Sequence, residues 1–164
     1  MTIKPFKIEQ IAINPRDRVK AKELLIALGL ATWVEDHVVA TGVVFDSDEL
    51  TNEADLSFNY DAFDGKEFEI LSYTAGSSWL DDSEHDRSNS VTHLGMHVTE
   101  PELDAYREFF EERGIDVAQE VNTLSHTNPY LNENGRKYHY CIFDTKPILG
   151  VDLKFIVRIE HEPK

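Results

Sequence analysis

Asp64-Gly65-Lys66-Glu67-Phe68-Glu69-Ile70-Leu71 is a turn pair followed by a segment in which Phe68 and Ile70 alternate with Glu67 and Glu69. That alternation is the signature of a strand with one apolar and one polar face. The pattern returns near the other end of the chain as Gly150-Val151-Asp152-Leu153-Lys154-Phe155-Ile156. Residues 65 and 150 lie 85 apart, and so do residues 69 and 154, which puts a lysine in the second copy where the first has a carboxylate. Val151, Leu153, Phe155 and Val157 form one face of the later strand, leaving Asp152, Lys154, Ile156 and Arg158 on the other. Glu69 and Lys154 are therefore expected to point away from the helix-packed face, toward a shared interior.

Outward from these two strands, the order of elements repeats. Residues 7–13 alternate, with Ile11 and Ile13 opposite Gln10 and Ala12. Asn14-Pro15 reads as an N-cap and first helical residue, and Ala21, Leu24, Leu25 and Leu28 recur at helical spacing up to Gly29. Extended segments follow at 33–35, 37–45, 56–60 and 66–73. Residues 74–90 turn to Gly, Ser, Asp and Glu, as in an exposed crossing segment, with Trp79 and Leu80 as anchors. The pattern then restarts at Val91–Val98, where Leu94, Met96 and Val98 oppose His93 and His97. Thr99 and Glu102 fit a capping box, and Leu103, Tyr106, Phe109 and Phe110 build an apolar helix face before Gly114, again 85 residues after Gly29. Strands are expected at 116–124, 137–143 and 151–159. The fold class is α+β, with two tandem βαβββ modules, residues 1–75 and 91–164, joined by a linker at 76–90 into one cup-shaped mixed sheet.

Composition narrows the function. The chain of 164 residues is 41% apolar, enough for one core. Its 31 acidic and 16 basic residues give a net charge of −15, which opposes DNA, RNA and anionic membranes as partners. No apolar run reaches signal-peptide or membrane-span length, so a cytoplasmic location is expected. The single cysteine, Cys141, lies between Tyr140 and Ile142 and reads as a buried thiol. No nucleophilic triad order, phosphate loop or dinucleotide fingerprint is present.

Ile8–Ile13, the helix ending Ala27-Leu28-Gly29-Leu30, the Asp64-Gly65-x-x-x-Glu69 strand and Val91–Val98 together resemble the vicinal oxygen chelate superfamily, which includes glyoxalase I, antibiotic-resistance proteins and extradiol dioxygenases. The likeness spans about residues 7–158. It implies a homodimer and metal ligands from the first and last strand of each module, which fall on Gln10, Glu69, His93 and Lys154. Gln10, Glu69 and His93 suit zinc, nickel, manganese or iron. A protonated Lys154 does not, because an ammonium has no lone pair and repels a cation.

Beside a protein-interaction scaffold with a vestigial pocket, two readings of the site stay open. In one, the chain is a glyoxalase-like lyase or isomerase in which a divalent ion chelates the vicinal oxygens of a small substrate, and Lys154 or His139 transfers a proton. In the other, Lys154 pairs with Glu69 in place of the metal and the cup binds or sequesters a small molecule without one. His139 and Tyr140 are expected to line the pocket, although parity cannot be read there because both faces of the strand are apolar or aromatic. Residues 124–135, with Pro129 and Tyr130, are a candidate lid.

Overall fold

The computed structural model describes residues 3–81, 87–126 and 137–159. The elements run β1 (Gln10–Ile13), α1 (Arg18–Ala27), β2 (Val34–Val44), β3 (Leu50–Asn59), β4 (Glu67–Ala75), a 3-10 turn (Trp79–Asp81), β5 (Val91–Val98), α2 (Glu100–Glu111), β6 (Val117–His126), β7 (Lys137–Phe143), α3 (Lys146–Leu149) and β8 (Asp152–Ile159). The eight strands close into a barrel in the order β1-β4-β3-β2-β6-β7-β8-β5. Within each half the order is first, fourth, third, second, with the first and fourth strands parallel. The halves join through two antiparallel pairs, β1 with β5 and β2 with β6. The expected cup of two βαβββ units is therefore closed all round. Gly65 and Gly150, the residues that opened the sequence comparison, have φ of 75° and 76°. Both introduce the last strand of their module from a left-handed turn, a conformation glycine adopts without steric cost.

The outer face of the second module is apolar. Leu103, Tyr106 and Phe110 of α2 pack on Phe143, Phe155 and Val157, and each large side chain buried there contributes about 1.5–3 kcal/mol. The expected capping box fixes the start of α2: Thr99 Oγ1 accepts from Glu102 N, and Thr99 N donates to Glu102 Oε2 at 2.9 Å. Cys141 is fully buried in this layer, where loss of water pushes its thiol up to about 12.

The first module is built differently, and the expected helix start at Asn14-Pro15 fails there. The cap of α1 is Asp17, whose side chain accepts from Lys20 N, whereas Asn14 donates to the carbonyl of Leu71. Leu24 and Leu28, which recur at helical spacing, are 62% and 72% exposed. The reason lies in β2 and β3, whose outward residues are Glu35, His37, Glu53, Asp55 and Ser57. That polar surface holds α1 through ion pairs of Arg18 and Lys22 with Glu35 instead of through an apolar seam. The linker also departs from the exposed crossing expected of it, since Ser78, Trp79 and Arg87 are buried. Trp79 Nε1 and Arg87 Nε donate to Asp152 Oδ2 at 3.1 and 2.7 Å, and Trp79 N donates to Gln119 Oε1. Trp79 and Arg87 thereby tie the two ends of the linker to β8. Of the candidate lid, residues 124–126 continue β6, and 127–136 lie outside the described residues.

Candidate active site inside the barrel

Strand alternation turns one row of each strand into the barrel. The inward rows of β4 and β8 carry Glu67, Glu69, Leu71 and Tyr73, and Lys154 and Ile156. With Gln10 from β1, Tyr140 from β7 and Trp79 from the linker they line a cavity of about 280 Å3. Glu69 and Lys154 thus share the interior, as the two alternation patterns required.

The polar groups form a connected floor. Gln10 Nε2 donates to Glu67 Oε2 at 2.6 Å, and Gln10 Oε1 lies 2.8 Å from His93 Nε2. An amide oxygen only accepts, so His93 carries its proton on Nε2 and donates it to Gln10. Glu69 Oε2 is 3.7 Å from His93 Nε2 and 4.0 Å from Lys154 Nζ. Both distances exceed a hydrogen bond, and this buried carboxylate oxygen has no hydrogen-bond partner among the described residues. The ammonium of Lys154 sits 4.3 Å from the centre of the Tyr140 ring, which stacks on Tyr138. Gly95 makes the arrangement possible: a Cβ there would come within 2.9 Å of Gln10 Cβ and 3.0 Å of its Oε1.

Electrostatics sort the protonation states. Burial alone would raise the Glu69 carboxyl, but Lys154 and then His93 outweigh it and hold it below its ordinary value. Burial, then the Lys154 charge, lowers His93, so its imidazole is neutral near pH 7. Burial and the neighbouring Glu69 raise Glu67. Tyr140 is raised well above the usual phenol by burial and by the charges around it, and it stays protonated.

Neither protein-family models nor curated proteins match this sequence. Among solved structures, a hypothetical protein from Bacillus halodurans is similar over 96% of this chain and 98% of its own, at 12% identity and a TM-score of 0.54. The chain shares that protein's fold. Methylmalonyl-CoA epimerase from Streptomyces coelicolor, in complex with 2-nitronate-propionyl-CoA, is also similar, at 17% identity over 94% of this chain and 98% of its own, with a TM-score of 0.48.

On this fold the four positions inferred from the sequence, Gln10, Glu69, His93 and Lys154, come together on the barrel floor. Tyr140 joins them and His139 does not. His139 is turned outward, with Nδ1 3.0 Å from Glu100 and Nε2 2.7 Å from Glu120. Alternation forces this outcome, because a strand that turns Tyr138, Tyr140 and Ile142 inward must turn His139 out. Proton transfer by His139 inside the cavity is thereby excluded. Sequence reasoning placed Glu67 on the inward face without assigning it a role, and it left Asp36 unread. Both line the cavity, and the period of β2, with Val38 and Ala40 inward, was the signal for Asp36.

Among the described residues no three His, Cys, Asp or Glu side chains cluster as metal ligands, so a metal here would need Gln10 as its third donor. The donor types fit a divalent ion once the His93 proton moves from Nε2 to Nδ1: an amide oxygen, a neutral imidazole and a carboxylate oxygen with no hydrogen-bond partner among the described residues.

Proposed function

We propose that the barrel is a small-molecule site in which Glu69 and Lys154 together read two neighbouring oxygens, the task a metal would otherwise perform. The observation that carries this is Glu69 Oε2, buried at the floor of the cavity with no hydrogen-bond partner among the described residues and 4.0 Å from Lys154 Nζ. A ligand hydroxyl satisfies that oxygen, and an adjacent carbonyl oxygen accepts from the ammonium. Lys154 then stabilises the negative charge that develops on the carbonyl oxygen when the adjacent, hydroxyl-bearing carbon loses a proton. Glu69, the nearest carboxylate, accepts that proton. The reaction class is glyoxalase-like proton transfer on an α-hydroxycarbonyl compound, and a partner site that only sequesters such a compound is the fallback.

The test is deuterium incorporation at the methylene of 2-hydroxyacetophenone, followed by proton NMR in heavy water. Exchange above the buffer rate that is lost in Lys154→Met and in Glu69→Gln supports the reading. Binding without exchange reduces it to sequestration, and neither binding nor exchange refutes it for this class.

A second reading is supported by the neutral His93 and the partner-free Glu69 oxygen. Gln10, His93 and Glu69 would hold a divalent ion, which would supply Lewis-acid polarisation of the substrate oxygens. Metal analysis after incubation with zinc, nickel, manganese and iron separates the two. A stoichiometric ion lost in His93→Ala favours the metal, and an ion-free protein that still exchanges deuterium favours the lysine.

A further inference from the structure

The polar groups of the site come from one side of the barrel. Gln10, Glu69, His93 and Lys154 lie on β1, β4, β5 and β8, which are consecutive in the closed strand order as β4-β1-β5-β8. The other four strands, β3-β2-β6-β7, form the facing arc. That arc lines the cavity with Ala54 and Leu56 of β3, Val38 and Ala40 of β2, Val121 of β6 and Ile142 of β7. These side chains are buried and belong to one apolar cluster. Polar members of the arc already bond to the protein. Asp36 Oδ1 accepts from His37 N at 2.9 Å, Asn52 Nδ2 donates to the Ser77 carbonyl at 3.1 Å, and Gln119 accepts from Trp79 N while donating to the Tyr73 hydroxyl. Ala40 and Ala54 lie diagonally across paired strands, since Ala40 pairs with Asn52 and Ala54 with Val38. Each presents only a methyl group to the cavity, so a larger side chain at either position takes volume from the space that a ligand fills.

We infer that the ligand of this site is an α-hydroxyketone whose carbonyl bears an apolar group, aryl or branched alkyl, with its oxygens on Glu69 and Lys154 and the apolar group against the β3-β2-β6-β7 arc. The place of the oxygens rests on the reading proposed above, and the place of the apolar group rests on the arc. A cavity with polar groups on one side and apolar side chains on the other fixes a ligand's orientation. A hydroxyl turned toward the arc gives up its bonds to water, whereas a ring or branched chain gains from leaving water there. A polyhydroxylated ketone of the same size is therefore the poorer fit.

Calorimetric titration of the intact protein with four ketones tests this. Three share the hydroxyacetyl head: 2-hydroxyacetophenone, 1-hydroxy-2-butanone, and dihydroxyacetone, in which a hydroxyl replaces the terminal methyl of the butanone. The fourth, acetophenone, keeps the ring and lacks the hydroxyl. 2-Hydroxyacetophenone is expected to bind at least about tenfold more tightly than 1-hydroxy-2-butanone, and the butanone more tightly than dihydroxyacetone. Ala40→Leu and Ala54→Leu should each weaken 2-hydroxyacetophenone by about tenfold and change 1-hydroxy-2-butanone by less than about twofold, with thermal melts confirming that the variants fold. If neither variant folds, the wild-type series decides alone. Equal affinity for the phenyl and ethyl ketones, dihydroxyacetone binding as tightly as the butanone, or variants that weaken both ketones alike overturns the inference and leaves the oxygen-reading site standing. Acetophenone binding as tightly as 2-hydroxyacetophenone overturns the oxygen reading and upholds the apolar arc. Failure of all four to bind overturns both.

Discussion

Replacing Lys154 by Met removes one charge from the barrel floor while keeping the aliphatic stem, so packing changes little. Two unit charges 4.0 Å apart attract by about 4 kcal/mol at an effective dielectric constant of about 20. Removing one member of a buried pair costs about 3–5 kcal/mol, because the other charge stays behind without its partner. Glu69 can escape part of that cost by taking up a proton, so about 3 kcal/mol of destabilisation is expected at neutral pH. The sign of the pH dependence follows from the depressed Glu69 value. Its contribution to stability is present above the unfolded carboxyl value, near 4.5, and is lost as pH falls through the lower folded value. The gap between wild type and variant should therefore close in acid. Urea unfolding of Lys154→Met, Glu69→Gln and the double variant measures this, with the double variant recovering more than 1 kcal/mol, roughly, of the summed losses. Additive losses, within about 0.5 kcal/mol, would refute the claim that the two side chains interact across the floor.

Gly95→Ala should cost about 1–3 kcal/mol in urea unfolding, because its Cβ meets Gln10 at 2.9 Å and displaces the side chain that links Glu67 to His93. Arg87→Met leaves Asp152 buried without its guanidinium and should destabilise by about 3–5 kcal/mol, seen as a lower urea midpoint at unchanged slope. On the outer surface, His139 is raised by its bond to Glu120. Its contribution is complete below the ordinary imidazole value of 6.5 and is lost as pH rises through the higher folded value, so Tm of wild type should approach that of His139→Ala in mildly alkaline buffer. Cys141, fully buried and with its thiol pushed up to about 12, should react with a thiol reagent only as fast as the protein opens, and added denaturant should accelerate the modification.

Alternation and spacing in the sequence determined which strands pair their charged residues in one interior. Val151 through Val157 and Phe68 through Ile70 alternate cleanly, so the inward course of Glu69 and Lys154 followed from period two alone. The capping box of α2 and the turns at Gly65 and Gly150 were legible for the same reason, since each depends on residues within a few positions of one another. The features that the sequence left open depend on contacts between distant segments. His139 sits on a strand whose two faces are both aromatic or apolar, so only the closed barrel decides that Tyr140 points in and His139 out. Helix α1 carries leucines at helical spacing, yet the polar outer rows of β2 and β3 leave them exposed, and a helix's own period says nothing about the surface beneath it. The linker read as polar and exposed until Arg87 and Trp79 met Asp152, 65 and 73 residues away. Gln10, Glu69, His93 and Lys154 were nameable one by one, but the 4.0 Å gap at a partner-free carboxylate oxygen exists only once the barrel closes.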